Sequence, residues 1–135
     1  MIVFGVELKG SEARVVIAEK DINGLCMGKD YKKIKINSSS QDDASSFRDL
    51  FVALIDQYSP SKLVLNVRQQ KGEFAAGAMT FLMEGILLTL SQVEVVSFSV
   101  QTLSAKLKLG AIQPAFPSYP QYTEKAYQLA SVGCL

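Results

Sequence analysis

The sequence predicts a single α/β domain built on a five-stranded mixed sheet, an antiparallel meander followed by parallel strands, flanked by helices. Three observations carry this. The chain opens on a near-continuous apolar run, Ile2-Val3-Phe4-Gly5-Val6, as suits a strand covered on both faces. Two turn signals follow closely, Gly10-Ser11 before the β-branched run Val15-Val16-Ile17 and Asn23-Gly24 before the alternating Ile34 and Ile36. Beyond them, strand-like apolar runs alternate with helical periodicity, and short strands joined through helices pair in parallel.

Length and composition fit one domain over residues 1–135. The chain is 48% hydrophobic and 20% charged, enough apolar material for one core and too short to expect two. A formal net charge of +1 excludes a strongly basic nucleic-acid binder or an acidic tail as a whole-chain property, but leaves local patches open. There is no histidine, so a Ser-His-Asp triad, a Cys-His pair and imidazole zinc ligands are excluded within these residues. Cys26 and Cys134 match no metal spacing and read as reduced thiols of a cytoplasmic protein. Glu7 and Lys9 interrupt the N-terminal apolar run, against a signal peptide. Glu84 and Gly85 break the longest apolar stretch, so no membrane partner is expected.

In order, strands are expected over residues 2–8, 13–18 and 31–36. The third alternates Ile34 and Ile36 with Lys33 and Lys35, the mark of a half-exposed edge. Asp42 and Asp43 open a helix whose inner face is Phe47, Leu50, Phe51, Leu54 and Ile55, and Tyr58-Ser59-Pro60 ends it. A fourth strand covers 62–67, and a long helix covers 73–90. That helix begins with Ala75-Ala76-Gly77-Ala78, small residues that would let it approach another backbone. A fifth strand covers 93–98, a helix 100–109 with Leu103 and Leu107 inward, a proline-rich loop 110–120 and a last helix 122–131. Strands one and four then leave in opposite directions across the sheet. That opens a crevice at their C-terminal ends, lined by Glu7, Lys9, Asn66, Val67 and Arg68, with the start of the last helix above it.

This element order, with the acidic residue of Gly5-Val6-Glu7 on strand one, resembles the ribonuclease H-like superfamily, and among its enzymes the RuvC-type Holliday junction resolvases. The segment KGEFAAGAMTFLMEGI (71–86) also resembles the K-G-x-F-A-x-G-A pattern of a bacterial family of unknown function with that fold. The resemblance to the resolvases implies a two-metal nuclease site using Mg²⁺ or Mn²⁺. Hard divalent ions need several carboxylates, so that two of them can hold the attacking and leaving oxygens.

The pattern departs from that site at identifiable positions. Glu7 stands where the enzymes usually carry Asp. Asn66 and Val67 stand where the strand-four carboxylate belongs, and Glu124 is the only acid near the start of the last helix. If the site is active, its catalytic residues are Glu7, Glu124 and Glu73, with Glu7 as a metal ligand; otherwise Glu7 pairs with Lys9 or Arg68. Lys9, Asn66, Arg68, Lys71 and Gly72 are the candidate ligand-binding residues. Of these, Arg68 and Lys71 beside Gly72 at a helix start make the better anion site. The lysines of strand three read as a solvated edge, and Glu84 as a rim or interface acid. The expectation is a catalytically degenerate domain that binds a ligand, nucleic acid being the candidate. A metal-dependent nuclease and a protein-interaction module are the alternatives. The wide apolar surface from Met79 to Leu90 points to a homodimer.

Overall fold

A computed structural model describes residues 1–66, 77–108 and 119–135. Its strands are β1 (Ile2–Lys9), β2 (Glu12–Lys20), β3 (Cys26–Lys35), β4 (Lys62–Asn66) and β5 (Glu94–Phe98), in sheet order β3-β2-β1-β4-β5. The helices are α1 (Gln41–Tyr58), α2 (Ala78–Leu88), α3 (Val100–Lys108) and α4 (Glu124–Gly133), the last preceded by a 3₁₀ turn, Gln121–Thr123. Strands β1, β2 and β3 are antiparallel, whereas β1, β4 and β5 run parallel. The predicted mixed sheet and its central first strand are therefore present.

Local chemistry accounts for the boundaries. Gly10 (φ 61°) and Gly24 (φ 83°) supply the left-handed backbone of the two turns. The Ser40 side chain caps α1 by accepting from the Asp43 amide at 3.2 Å. Ser59, left-handed at φ 48°, closes that helix by donating its amide to the Ile55 carbonyl, and Pro60 forbids continuation. Strand β3 begins at Cys26, five residues before the sequence suggests, because its first half is held by pairing to β2 rather than by its own apolar pattern. A register shift between Ile17 and Ala18, which pair with Asp30 and Gly28, leaves Lys29 as the extra residue on that strand.

Two cores cover the two faces of the sheet. On one face, Phe4, Val6, Val15, Ile17, Leu63 and Leu65 meet Phe47, Phe51, Leu54 and Ile55 of α1 and Met83 and Leu87 of α2. On the other, Val3, Val16, Ala18 and Val64 meet Leu103 of α3 and Ala126, Leu129, Ala130 and Val132 of α4. Leu50 departs from expectation: it is 53% exposed, one position off the inward stripe of α1. The first residues predicted for the long helix, and most of the proline-rich loop, lie outside the described residues, as do the side chains of Val100, Leu107 and Lys108. Among the described residues, Gly77 does not serve a close backbone approach, since a Cβ built there meets nothing within 4 Å. No described helix is long and apolar enough to cross a membrane.

Close approach occurs elsewhere. A Cβ on Gly5, in the centre of β1, would lie 1.9 Å from the Ala126 carbonyl oxygen and 2.4 Å from the Ala130 amide nitrogen. A Cβ on Gly133 would lie 2.7 Å from both Val3 and Val64. Helix α4 is thus seated against the sheet at two glycines, with backbone touching backbone at the first. Replacing Gly5 by Ala must push α4 outward. The expected cost, read as a lower urea midpoint at unchanged slope, is at least about 3 kcal/mol.

A polar contact joins the edge of the sheet to α1. The Tyr58 hydroxyl donates to Asp30 at 2.8 Å, and the Tyr31 amide donates to the same carboxylate. Burial alone would raise the Asp30 carboxyl, but these two donors and Lys32 outweigh it and hold it below its ordinary value. A lowered carboxylate stabilises the fold above its unfolded-state value, and the stabilisation is lost as pH falls through the lower folded-state value. Tyr58→Phe should cost about 1 kcal/mol at neutral pH, a discounted figure for a part-exposed charged acceptor. Urea unfolding of both proteins should show that difference shrinking as pH falls below the ordinary aspartate value.

Candidate nucleic-acid interface

The alternation of strands decides which charges meet. Residues paired directly across antiparallel strands share a face, so Glu7 with Arg14, Lys9 with Glu12, and Arg14 with Lys33 all project on the side of α4. Toward the N-terminal end of β1 this face carries Gly5 and Val3, beneath the helix. Helix α4 starts above the charged end, and Glu124 and Lys125 stand in its first turn.

Arg14 is the hub. One guanidinium nitrogen donates to Glu7 at 3.5 Å and the other to Glu12 at 3.1 Å, with all three side chains under 20% exposed. Lys33 lies 3.7 Å from the second oxygen of Glu12. For Glu12, the upward push of burial is outweighed by the Arg14 hydrogen bond and the charges of Lys33, Arg14 and Lys35, so its carboxyl is held below the ordinary range. Tyr122, in the turn before α4, lies over these cations, with the Lys33 ammonium 4.3 Å and the Arg14 guanidinium carbon 5.6 Å from its ring centre. Tyr31 packs edge-on against Tyr122 and at 4.7 Å against Tyr119.

Glu7, Arg14, Gln121, Tyr122, Glu124, Lys125 and Gln128 together line an open cavity of about 330 Å³. Two of the expected acids, Glu7 and Glu124, are therefore brought to one cavity. It lies over β1 and β2 beneath the start of α4, whereas Val67 and Arg68, expected on the β4 side of the crevice, lie outside the described residues. Asn66, at the C-terminal end of β4, falls one position beyond the Val6–Leu65 pair, level with Glu7 and on the same face. Its buried Oδ1 has no hydrogen-bond partner among the described residues. Lys9 is exposed at the hairpin and does not line the cavity. Glu73, Arg68, Lys71 and Gly72 lie outside the described residues.

The partner of Glu7 among the described residues is Arg14, not Lys9. Sequence reasoning passed over Arg14, yet the signal was present. A two-residue turn at Gly10-Ser11 places Lys9 opposite Glu12, and two steps back along each strand Glu7 must face Arg14. Lys33 is not the solvated edge lysine the alternation suggests but is likewise turned to Tyr122 and Glu12, whereas Lys29 pairs with Glu19 at 2.8 Å and Lys32 with Asp30 at 3.5 Å. Glu84 is half-buried on α2, on the far side of the molecule from this site.

The residues matched by a family model run from 1 to 133, and that family is described as a protein of unknown function, DUF3010. The chain belongs to the DUF3010 family. No curated protein matches the sequence. Among solved structures, this DUF3010 chain is similar to RuvC of Thermus thermophilus in complex with a Holliday junction substrate. The two are 10% identical, with a TM-score of 0.73, over 96% of this chain and 90% of that one. It is similar to Thermus thermophilus RuvC in a second structure, again 10% identical, at a TM-score of 0.71 over 96% and 91%. The yeast mitochondrial Holliday junction resolvase Ydc2 follows at 12% identity and a TM-score of 0.59, over 81% of this chain and 58% of that one. At such identities the likeness establishes the ribonuclease H-like fold and no more.

The DUF3010 site can be tested against the metal pair that this fold family implies. Among the described residues, the cavity offers the carboxylates of Glu7 and Glu124 beside the cations Arg14 and Lys125, and the neighbouring β4 position is the neutral Asn66. No group of three or more potential acidic or sulfur ligands occurs among the described residues. That donor set does not fit two divalent ions, which require several negative oxygens free of competing cations. Removing the hub should expose the repulsion it suppresses. Arg14→Met should cost about 1–2 kcal/mol, and adding Glu7→Gln should recover part of it, a coupling measurable in a double-mutant cycle by urea unfolding.

Proposed function

We propose that this DUF3010 domain is a catalytically degenerate member of the resolvase-like fold that binds nucleic acid at the Glu7–Tyr122 cavity. The observation that carries this reading is the Arg14 hub. The acid at the first position of the resembled site is bonded to an internal cation, and beside it Tyr122 lines the cavity with the Lys33 ammonium over its ring. Phosphates favour the ammonium groups of Lys125 in the cavity, Lys33 over the Tyr122 ring and, outside the cavity at the hairpin, Lys9, and an unstacked base favours an aromatic face. Two of the similar structures, RuvC in complex with a Holliday junction substrate and the resolvase Ydc2, support a branched DNA as the first ligand to try.

Binding to a four-way junction, a duplex and a single strand should weaken with salt. Lys33→Gln should reduce the slope of log affinity against log salt by about 1. Tyr122→Ala should cost about tenfold in affinity for a junction or single strand, measured by fluorescence anisotropy. Salt-independent binding, or no binding, would favour a protein-interaction module.

The nuclease alternative draws on one observation, that Glu7 and Glu124 line one cavity. It predicts junction cleavage in Mg²⁺ or Mn²⁺ that Glu7→Gln abolishes; the degenerate reading predicts no cleavage by either protein.

A homodimer accompanies the binding reading. Between α1 and α2 lies a largely apolar groove of about 430 Å³ lined in part by Phe81, Leu82 and Ile86, with Phe81 39% and Leu88 54% exposed. Light scattering should return twice the 14.7 kDa chain mass. Leu88→Lys should return it to one chain. A cytoplasmic setting belongs to the same proposal.

A further inference from the structure

Cys26 and Cys134 are 108 positions apart in sequence, yet their sulfurs lie 2.7 Å apart as free thiols. Cys26 is the first residue of β3 and pairs across the sheet with Lys20. Cys134 follows α4 directly, one residue beyond the glycine that seats the helix on Val3 and Val64. Both backbones are therefore positioned by elements that cannot easily move apart, one by strand pairing and the other by close helix packing. A sulfur–sulfur bond is about 2.05 Å long, so less than 1 Å of further approach closes it.

We propose that Cys26 and Cys134 form a reversible intramolecular disulfide site whose oxidant is a hydroperoxide. Cys26, half-buried, is the attacking thiol, and Cys134, buried, is the resolving one. The contact with the Cys134 sulfur holds the Cys26 thiol below its ordinary range against burial, and Ser131 and the Lys20 cation add to it. Cys134 is pushed the other way, first by that same hydrogen bond and then by burial. The pair thus releases one proton readily and the second reluctantly.

In the reaction, the Cys26 thiolate attacks the outer peroxide oxygen and breaks the O–O bond. This leaves a sulfenic acid and, after proton uptake, an alcohol or water. The Cys134 sulfur then attacks the Cys26 sulfur, forming the S–S bond and expelling hydroxide, which takes the Cys134 proton and leaves as water. Two thiols lose two electrons in all and the peroxide gains two. A dithiol reductant reverses the change by exchange. The reduced thiols expected from the sequence are the resting state of this site.

The test uses the full chain treated with hydrogen peroxide and read by intact mass spectrometry and alkylation. The expected result is a loss of about 2 Da, both thiols closed to maleimide, a peptide joining residues 26 and 134, and recovery in dithiothreitol. The oxidised protein should melt about 10 °C above the reduced one, as a crosslink closing so long a loop implies. Two thiols that both remain alkylatable, an independent gain of oxygen on either cysteine, or a bond formed only between two chains would each overturn the proposal. In Cys134→Ser, dimedone should label Cys26; no label there would overturn the assigned order of attack.

Discussion

The structure depends on one contact between backbones. At Gly5 the central strand carries no side chain on the α4 face, and the Ala126 carbonyl and Ala130 amide occupy the space a Cβ would need. Burial of apolar surface drives the helix onto the sheet, but how deep it sits is set by what stands between them. With hydrogen at position 5, Ala126 and Ala130 at the contact and Gly133 at the far end, nothing stands between them. Everything carried at the ends of α4 inherits its position from that contact. Glu124 and Lys125 reach the cavity at one end, and Cys134 reaches Cys26 at the other.

Around the cavity the balance of charge is the second constraint. Glu7 stands on a strand whose other residues are almost all apolar, and a part-buried carboxylate there needs a cation. Arg14 supplies it and serves Glu12 as well, because its fork donates in two directions. That arrangement gives each of the two part-buried carboxylates a cation within the fold. It also leaves the Lys125 side chain and the Tyr122 ring lining the cavity.

Much of this was legible in the residues. The apolar run of β1, the β-branched segments, the two glycine turns and the α1 stripe led to the right sheet because each is a local pattern with one stable partner arrangement. Glu7 was legible as the odd charge on a buried strand. Arg14 was within reach of hairpin arithmetic. Leu50 was misplaced because helical periodicity cannot resolve one position at the edge of a stripe. The role of Gly5 was hidden: a glycine in a strand reads as a weak point until the helix above it is seen.

By itself, the sequence determined the order of elements, the sheet, the absence of histidine chemistry, and Glu7 as the charge to be explained. Those follow from periodicity, turn chemistry and composition, which act over a few residues. Only the tertiary structure decided that Tyr122 would stack over Arg14 and Lys33, that Glu124 would join Glu7, and that two cysteines 108 positions apart would touch. These contacts join parts of the chain separated by most of its length. They are set by the depth and direction at which α4 packs on the sheet, and no local pattern encodes that.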